Sequence, residues 1–168
     1  MSMSKYILLD RDGTINVERL DYVKSFEEFI FLEGAFEALK LFSDNGYKII
    51  IITNQSVVGR NIITEEELIN IHDKMKYELL KKDITIFDIF YCTSLPDSNS
   101  PDRKPEPGML LRCSNDYNIN LKETYYIGDK ETDVIAGKKA GCKTIKLRNN
   151  NLLEAAQEVI LSDSNKFG

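Results

Sequence analysis

Hydrophobic residues along this 168-residue chain fall into short unbroken runs, separated by longer stretches in which apolar and polar residues mix. The runs predict five β-strands, at residues 6–9, 47–52, 86–92, 124–127 and 143–147. The second run contains four consecutive isoleucines at 49–52. Because polar residues do not alternate with the apolar ones, we expect strands that are buried on both faces, as in a parallel sheet.

The segments between these runs have helical patterns, at residues 34–45, 64–82, 107–117, 131–140 and 151–161. Thr64 and Glu67 form a capping-box signature at the start of the second segment. Strands that alternate with helices predict an α/β domain with a doubly wound, Rossmann-like parallel sheet. Ligands bind such sheets beyond the carboxyl ends of the strands, so the polar residues that follow the strands are candidate site residues.

Length and composition favour one globular domain over 1–168, with flexible ends at 1–4 and 162–168. The formal net charge of -5 disfavours nucleic acid and acidic membranes as partners, since both select clustered cations. The three cysteines are widely spaced and predict neither a disulfide framework nor a cysteine-rich metal site. No run is long enough for a signal peptide or a membrane span. We therefore expect a cytoplasmic protein, as a monomer or weak oligomer.

Two aspartates, Asp10 and Asp12, follow the first predicted strand. Residues i and i+2 of an extended backbone project to the same side, so both carboxylates can face one pocket. Carboxylates of this kind suit Mg²⁺, and Gly13 allows the backbone to turn sharply after them. The same residues also describe an ordinary Asp-Gly turn, so the local pattern leaves both interpretations open.

Two further polar segments carry groups that suit phosphate. Thr53 and Asn54 follow the second strand, where a hydroxyl and a peptide N–H can bind phosphoryl oxygens or cap a helix. Arg103 and Lys104 precede the helix predicted at 107–117. Cations there either neutralise phosphate near the helix N-terminus or form a solvated basic loop.

A third acidic position, Asp129, follows the fourth predicted strand and can complete a metal site with Asp10. Asp133 lies four residues further on, over the first turn of the next helix. It can support the metal ligands without binding the ion, or simply complement the helix dipole. Each segment has a structural explanation by itself, but their shared placement in four crossover units favours a common site.

The segments DRDGTIN at 10–16, TNQS at 53–56, RKPEPGM at 103–109 and GDK at 128–130 together resemble the motifs of the haloacid dehalogenase superfamily of phosphatases. They are most similar to the D,D-heptose 1,7-bisphosphate phosphatases and their histidinol-phosphatase relatives. The resemblance extends over residues 5–148. It implies a haloacid-dehalogenase-like fold, here without a large cap domain, because residues 16–33 can form only a loop or flap.

The resemblance also implies roles for individual residues. Asp10 is the nucleophile, which forms an aspartyl-phosphate, and Asp12 is the general acid and then the general base. Thr53 and Lys104 bind the transferring phosphoryl group. Because Asp12 must carry a proton, we expect its pKa to be raised relative to that of Asp10.

Mg²⁺ is the implied cofactor, held by Asp10, the backbone carbonyl of Asp12, and Asp129, with Asp133 in a supporting position. The implied substrate is a phosphorylated sugar or other small metabolite. Its candidate contacts are Asn54, Arg60, Arg103 and Lys130.

The chain differs from many of these relatives in the loop before the third motif. Those relatives carry a zinc site of one histidine and three cysteines, whereas here Cys92 is the single cysteine at an expected ligand position and Ser94 stands in place of the histidine. One thiol cannot form a structural zinc site, so we predict none. Outside the motifs, we expect His72 to be a surface or hydrogen-bonded core residue and Tyr126 to serve core packing.

The leading functional hypothesis is hydrolysis of the C7 phosphate of a heptose bisphosphate in a surface-glycan pathway. Histidinol-phosphate phosphatase and other small-metabolite phosphatases share the motifs and remain alternatives. A polynucleotide-end phosphatase would need a basic groove or stacking aromatics, which an acidic chain without tryptophan does not suggest. A phosphate-binding module without activity would usually lack the nucleophile or its acid, and both are present here.

Overall fold

The computed structural model describes residues 4–166, and within that range five parallel strands form one sheet. The strands are β1 (Lys5–Leu9), β2 (Tyr47–Asn54), β3 (Ile86–Cys92), β4 (Tyr125–Gly128) and β5 (Lys143–Lys146). Their order across the sheet is β3-β2-β1-β4-β5. The prediction of a Rossmann-like parallel sheet is therefore confirmed, and every strand boundary lies close to the expected one.

The helices occupy the segments between the strands. They are α1 (Ala35–Asp44), α2 (Ser56–Gly59), α3 (Glu65–Leu80), α4 (Gly108–Tyr117), α5 (Glu131–Ala140) and α6 (Leu152–Asn165), with 3-10 turns at Phe26–Glu28 and Leu121–Glu123. α2 was not predicted from the sequence, because a single helical turn is too short to show a hydrophobic period.

The C-terminal helix extends further than the sequence suggested. The sequence predicted a helix ending near residue 161 and a flexible end from residue 162, whereas α6 continues to Asn165. Side chains of the last turn contact the sheet: the Tyr47 hydroxyl donates a hydrogen bond to Asp163, and the Tyr125 hydroxyl lies 3.3 Å from Ser162 Oγ. Of the other residues expected to be flexible, 1–3 and 167–168 lie outside the described range.

Both faces of the sheet are buried, which explains the unbroken apolar runs. Ile49 and Ile51 pack on one face with residues of α1, α3 and α6, whereas Ile50 and Ile52 pack on the other face with residues of α4 and α5. All four isoleucines are fully buried. A strand covered on both faces has no reason to place a polar residue at every second position.

The strand order places the functional segments at one point of the sheet. From β1 the chain moves outward through β2 to β3, then returns to the other side of β1 to form β4 and β5. The order therefore reverses between β1 and β4, and ligands bind at such a switch point. Asp10 follows β1 and Asp129 follows β4, so the fold brings these two carboxylates to the same crevice.

The segment between β1 and α1 forms a flap beside this crevice. An antiparallel bridge joins Asn16 to Phe31, and the backbone N–H of Val17 donates to Ile30 O over 2.8 Å. An ion pair of 2.7 Å between Arg19 and Glu28 holds the outer part of the flap together. The expectation of a flap in place of a large cap domain is confirmed.

The capping box at the start of α3 is expected to stabilise the folded protein. Thr64 Oγ1 accepts a hydrogen bond from the Glu67 N–H over 3.1 Å, and the Glu67 carboxylate accepts one from the Thr64 N–H over 2.7 Å. Thr64→Ala should lower the free energy of unfolding by about 1 kcal/mol, because it removes the acceptor for the Glu67 N–H. Urea denaturation measures this change. Thr64→Ser, which keeps the hydroxyl, is the control and should retain most of the stability.

Candidate active site

A buried lysine lies at the centre of the crevice. Lys104 is 4% exposed, and its Nζ is within hydrogen-bond distance of four oxygen atoms. These are Asp133 Oδ1 at 2.6 Å, the Tyr126 hydroxyl at 2.7 Å, Asp10 Oδ1 at 2.9 Å and Ile52 O at 3.0 Å. Burial alone would lower the pKa of Lys104, but the carboxylates of Asp10 and Asp133 outweigh it and raise the pKa, so the ammonium stays charged.

The loop that carries Lys104 is attached to the end of β2. The Asn54 side chain bonds the backbone of Lys104 twice: its Nδ2 donates to Lys104 O over 3.1 Å, and its Oδ1 accepts from the Lys104 N–H over 3.0 Å. The Arg103 guanidinium donates to Ser94 O over 3.0 Å, within the same loop. Asn54 also lines the cleft, so its expected contact with substrate remains a prediction while its amide positions Lys104.

Three carboxylates meet beside Lys104. One oxygen from each of Asp10, Asp129 and Asp133 lies within 4.8 Å of the others. The Asp133 carboxylate is already occupied, because it accepts from Lys104, the Tyr126 hydroxyl and the Lys130 N–H. The oxygens of Asp133 are therefore engaged by donors, and its supporting role at a metal site remains a prediction.

Asp129 differs from Asp133 in having an unused oxygen. Its Oδ1 is buried and has no hydrogen-bond partner among the described residues. A Cβ atom on Gly13, whose φ is +79°, would overlap the Asp129 carboxylate, so only glycine leaves room for it. Burial and the nearby charge of Asp133 raise the pKa of Asp129. A buried carboxylate oxygen without a donor, next to a second carboxylate, fits a hard cation such as Mg²⁺.

Asp12 lies outside this acidic cluster, in a separate hydrogen-bond network. Its Oδ1 accepts from Arg11 over 2.8 Å and from Asn16 over 2.9 Å, and its Oδ2 accepts from Gln55 over 2.7 Å. Burial favours a raised pKa, but the Arg11 charge and these donors together lower the pKa of Asp12. For Asp10, burial is opposed by Lys104 but prevails, and the pKa is raised.

The expected order of these two pKa values is therefore wrong for the free protein. The expectation of a higher pKa for Asp12 rested on its catalytic role alone. Arg11 is a charged partner of Asp12 and stabilises its anion. Asp10, by contrast, shares the Lys104 ammonium with Asp133. Burial therefore raises the pKa of Asp10, whereas the Arg11 charge and the hydrogen-bond donors lower the pKa of Asp12 despite its burial.

Several residues that the sequence analysis did not assign belong to the site. Tyr126 is buried as expected, but its hydroxyl contacts Lys104 and Asp133, so core packing describes only its ring. His72 is a hydrogen-bonded core residue, and its Nε2 lies 3.0 Å from Arg11 Nη1. His72 lies far from every motif along the chain, so the sequence carried no signal for its contact with Arg11. The contact arises because α3 packs on the flap.

Thr53 and Gln55 connect the two networks. Thr53 is fully buried at the end of β2, and its Oγ1 accepts a hydrogen bond from Gln55 Nε2 over 3.0 Å. The same nitrogen donates to Asp12 Oδ2. Gln55 thereby fixes the Asp12 carboxylate relative to the hydroxyl expected to bind phosphate. The position of Gln55 within the TNQS segment was the feature of the sequence that could have identified it as a site residue.

A cleft of about 480 Å³ opens beside these groups. Its walls include Asp10, Asp12, Arg60, Arg103, Lys104 and Lys130. At the rim, Lys130 forms an ion pair with Glu18 of the flap, and the Arg60 guanidinium lies 5.8 Å from the centre of the Tyr22 ring. The cationic side chains that were predicted to contact substrate therefore surround one opening.

A larger cavity of about 680 Å³ lies at the opposite end of the sheet. Its walls include Lys5 and Tyr47, the first residues of β1 and β2. The four motifs are at the carboxyl ends of the strands, so none of their chemistry faces this cavity.

The sequence matches the family described as haloacid dehalogenase-like hydrolase over residues 5–141. A D-glycero-beta-D-manno-heptose-1,7-bisphosphate 7-phosphatase from Helicobacter pylori is 37% identical over 154 residues, which cover 91% of this chain and 85% of that protein. A D-glycero-alpha-D-manno-heptose-1,7-bisphosphate 7-phosphatase from Photorhabdus laumondii is 35% identical, with 95% and 92% covered.

A solved structure is also similar to this chain. The D,D-heptose 1,7-bisphosphate phosphatase from B. bronchiseptica, crystallised with magnesium and phosphate, superposes with a TM-score of 0.90 at 29% identity. The match covers 94% of this chain and 99% of that one. Among residues 4–166, no helix combines the length and apolar character needed to cross a membrane.

The buried contact of His72 predicts that this side chain does not titrate near neutral pH. Burial and the positive charge of Arg11 lower the pKa of His72 from 6.5 to about 3. His72 is the one histidine of the sequence, so its ring signals can be assigned without ambiguity. NMR spectra of ¹⁵N-labelled protein should show a neutral ring, with the proton on Nδ1, from neutral pH down to mildly acidic pH.

The same shift has a consequence for stability, with a definite sign. The unfolded chain binds a proton at His72 below pH 6.5, whereas the folded protein does so only near pH 3. The contribution of His72 is therefore complete above pH 6.5 and is lost progressively as the pH falls between these values. A ring that titrates with an unshifted pKa in the folded protein would contradict this account of the contact.

Proposed function

Because this chain belongs to the haloacid dehalogenase-like hydrolase family and is a phosphatase, we propose that it hydrolyses the C7 phosphate of D-glycero-D-manno-heptose 1,7-bisphosphate. The observation that carries the proposal is the position of Asp10, whose carboxylate lies 2.9 Å from buried Lys104. It also lies next to an Asp129 oxygen that has no hydrogen-bond partner among residues 4–166. This arrangement combines a carboxylate nucleophile with the positive charge that phosphoryl transfer requires.

Asp10 acts as the nucleophile in this proposal. Its carboxylate oxygen attacks the phosphorus atom, the bond from phosphorus to the sugar oxygen breaks, and an aspartyl-phosphate forms. Lys104 neutralises charge on the phosphoryl oxygens, and Thr53 and the peptide N–H groups after β2 bind the same group. These contacts are fixed before substrate arrives, which is the form of electrostatic stabilisation that contributes most to such reactions.

Asp12 transfers the proton in both half-reactions. In the first it protonates the departing sugar oxygen. In the second it accepts a proton from the water that attacks phosphorus, as the bond to Asp10 breaks and inorganic phosphate forms. The free protein holds Asp12 as an anion. A negatively charged phosphoryl group beside it disfavours that anion and so promotes uptake of the proton.

A magnesium ion fits the acidic cluster, held by Asp10, the carbonyl of Asp12, and Asp129. When bound, it would supply positive charge that favours ionised Asp10 and offsets the charge of the transferring group. The support for this assignment is the buried Asp129 oxygen, which has no partner in the described part of the chain, and the space that Gly13 leaves for its carboxylate. Asp133 orients Lys104 and caps α5, so it holds the site together without being a ligand.

The rim of the cleft supports a substrate with a second phosphate. Arg60, Arg103 and Lys130 line its opening, whereas one phosphoryl group already has a partner in Lys104. Additional cations around the opening suit an anionic group at the far end of a phosphorylated sugar. The relatives from Helicobacter pylori and Photorhabdus laumondii are named for substrates of this kind, although for opposite anomers.

Phosphate release from both anomers of heptose bisphosphate tests the proposal. The wild-type protein should release one phosphate per molecule, with Mg²⁺ required, and should act far more slowly on histidinol phosphate, which has no second phosphate for the rim cations. Asp10→Asn should reduce the rate by at least about a thousandfold, because an amide is a poor nucleophile. Its fold should persist, since Lys104 retains Asp133 as a charged partner.

Asp44→Asn is the matched control, because it makes the same chemical change on the exposed surface of α1, where Asp44 pairs with Lys40. It should leave the rate unchanged. Undiminished turnover by Asp10→Asn would contradict the mechanism, and a preference for histidinol phosphate would contradict the proposed substrate.

A further inference from the structure

Arg11, which separates the two catalytic aspartates, has an unusual environment for a charged residue. It is 1% exposed, and its guanidinium contacts three side chains in three directions. Nε donates to Asn16 Oδ1 over 3.3 Å, Nη1 donates to His72 Nε2 over 3.0 Å, and Nη2 donates to Asp12 Oδ1 over 2.8 Å. Three separate acceptors fix both the position and the plane of the guanidinium.

The contact with His72 has a defined direction. An arginine has no acceptor and does not lose its proton, so His72 Nε2 must be the acceptor and the ring must be neutral. His72 belongs to α3 and lies 61 residues from Arg11 in sequence. A neutral histidine is no counter-ion for Arg11. Its contribution is a rigid acceptor, delivered by a helix that is anchored in the core.

The oxygens of Asp12 are unequal because of this arrangement. Oδ1 accepts two hydrogen bonds, from Arg11 and Asn16, whereas Oδ2 accepts one, from Gln55. A proton is therefore more easily accommodated on Oδ2, which retains a free lone pair. Oδ2 is also the oxygen that Gln55 connects to Thr53, on the side where the phosphoryl group is proposed to bind.

We propose that Arg11, braced by His72, is a positioning residue for proton transfer: it holds Oδ1 of Asp12 so that Oδ2 faces the departing oxygen and carries the proton. The inference rests on the proposed function, because it assigns a role within the same reaction. His72 acts through Arg11, and neither residue touches substrate.

A purely structural role for the pair makes a different prediction. Burial of the Arg11–Asp12 ion pair and the packing of Arg11 against Phe29, with 5.6 Å from Cζ to the ring centre, contribute to the fold in any case. If that were all, a variant would lose activity on every substrate in equal proportion. A positioning role shows only where the reaction needs the proton of Asp12.

Two aryl phosphates separate these cases. Phenolate is a poor leaving group that needs a proton, whereas dinitrophenolate departs without one, and both rings lack the sugar contacts of the natural substrate. His72→Leu should lower kcat/KM for phenyl phosphate by roughly tenfold or more, as expected for a displaced catalytic group. The same variant should change kcat/KM for dinitrophenyl phosphate by less than about twofold. The ratio kcat/KM reports the first half-reaction, in which Asp12 acts as the acid.

Two variants serve as comparisons. His72→Gln offers an amide oxygen near the place of Nε2, so it should restore most of the activity on phenyl phosphate. Met75→Leu changes a fully buried apolar residue of the same helix and should leave the ratio between the two substrates unchanged. If His72→Leu does not fold, Arg11→Lys provides the test, because one ammonium cannot bond Asp12, Asn16 and His72 in the same geometry.

Equal loss on both esters, or no loss on either, would overturn the inference, and so would a His72→Gln variant as impaired as His72→Leu. Failure of the proposed function is distinguishable. It would appear in the wild-type protein, as an absence of activity on heptose bisphosphate while the aryl phosphates are still hydrolysed.

Discussion

The ammonium group of Lys104 and the two carboxylates on either side of it form the interaction on which the rest of the site depends. A buried ammonium is tolerated only when its charge and its donors are satisfied, and here Asp10 and Asp133 supply the charge while Tyr126 and a β2 carbonyl supply further oxygens. Asp10 follows β1, the carbonyl belongs to Ile52 of β2, Tyr126 lies in β4 and Asp133 lies in α5. The ion cluster therefore fixes the carboxyl ends of β1, β2 and β4 and the start of α5 relative to one another.

A second ionic network, around Arg11, separates the chemistry of two aspartates that are two residues apart. Asp10 points into the cluster with Lys104, and Asp12 points into the cluster with Arg11, Asn16 and Gln55. Two carboxylates in one shared environment would compete for the same proton. Separate cations allow one to serve as nucleophile and the other to handle the proton.

The sequence was sufficient for the parts of the structure that follow from local patterns. Unbroken apolar runs located the strands, and their carboxyl ends located Asp10, Thr53 and Asp129. It was insufficient where a long-range contact decides the chemistry. Nothing near His72 in sequence indicates that α3 brings it to Arg11, and nothing near Asn54 indicates that its amide holds the backbone of Lys104, fifty residues away. The order of the aspartate pKa values depends on both kinds of contact, because Arg11 adjoins Asp12 in sequence whereas the burial of Asp10 and its contacts with Lys104 and Asp133 come from the fold.

The central claim is that Asp10 forms the covalent bond to phosphorus. The most direct measurement is to quench the protein with acid during turnover of heptose bisphosphate, reduce the acyl phosphate with borohydride, and map the modified residue by mass spectrometry. The account predicts that residue 10 is converted to homoserine and that Asp12, Asp129 and Asp133 are unmodified. Modification at another aspartate, or turnover without any modified residue, would contradict it.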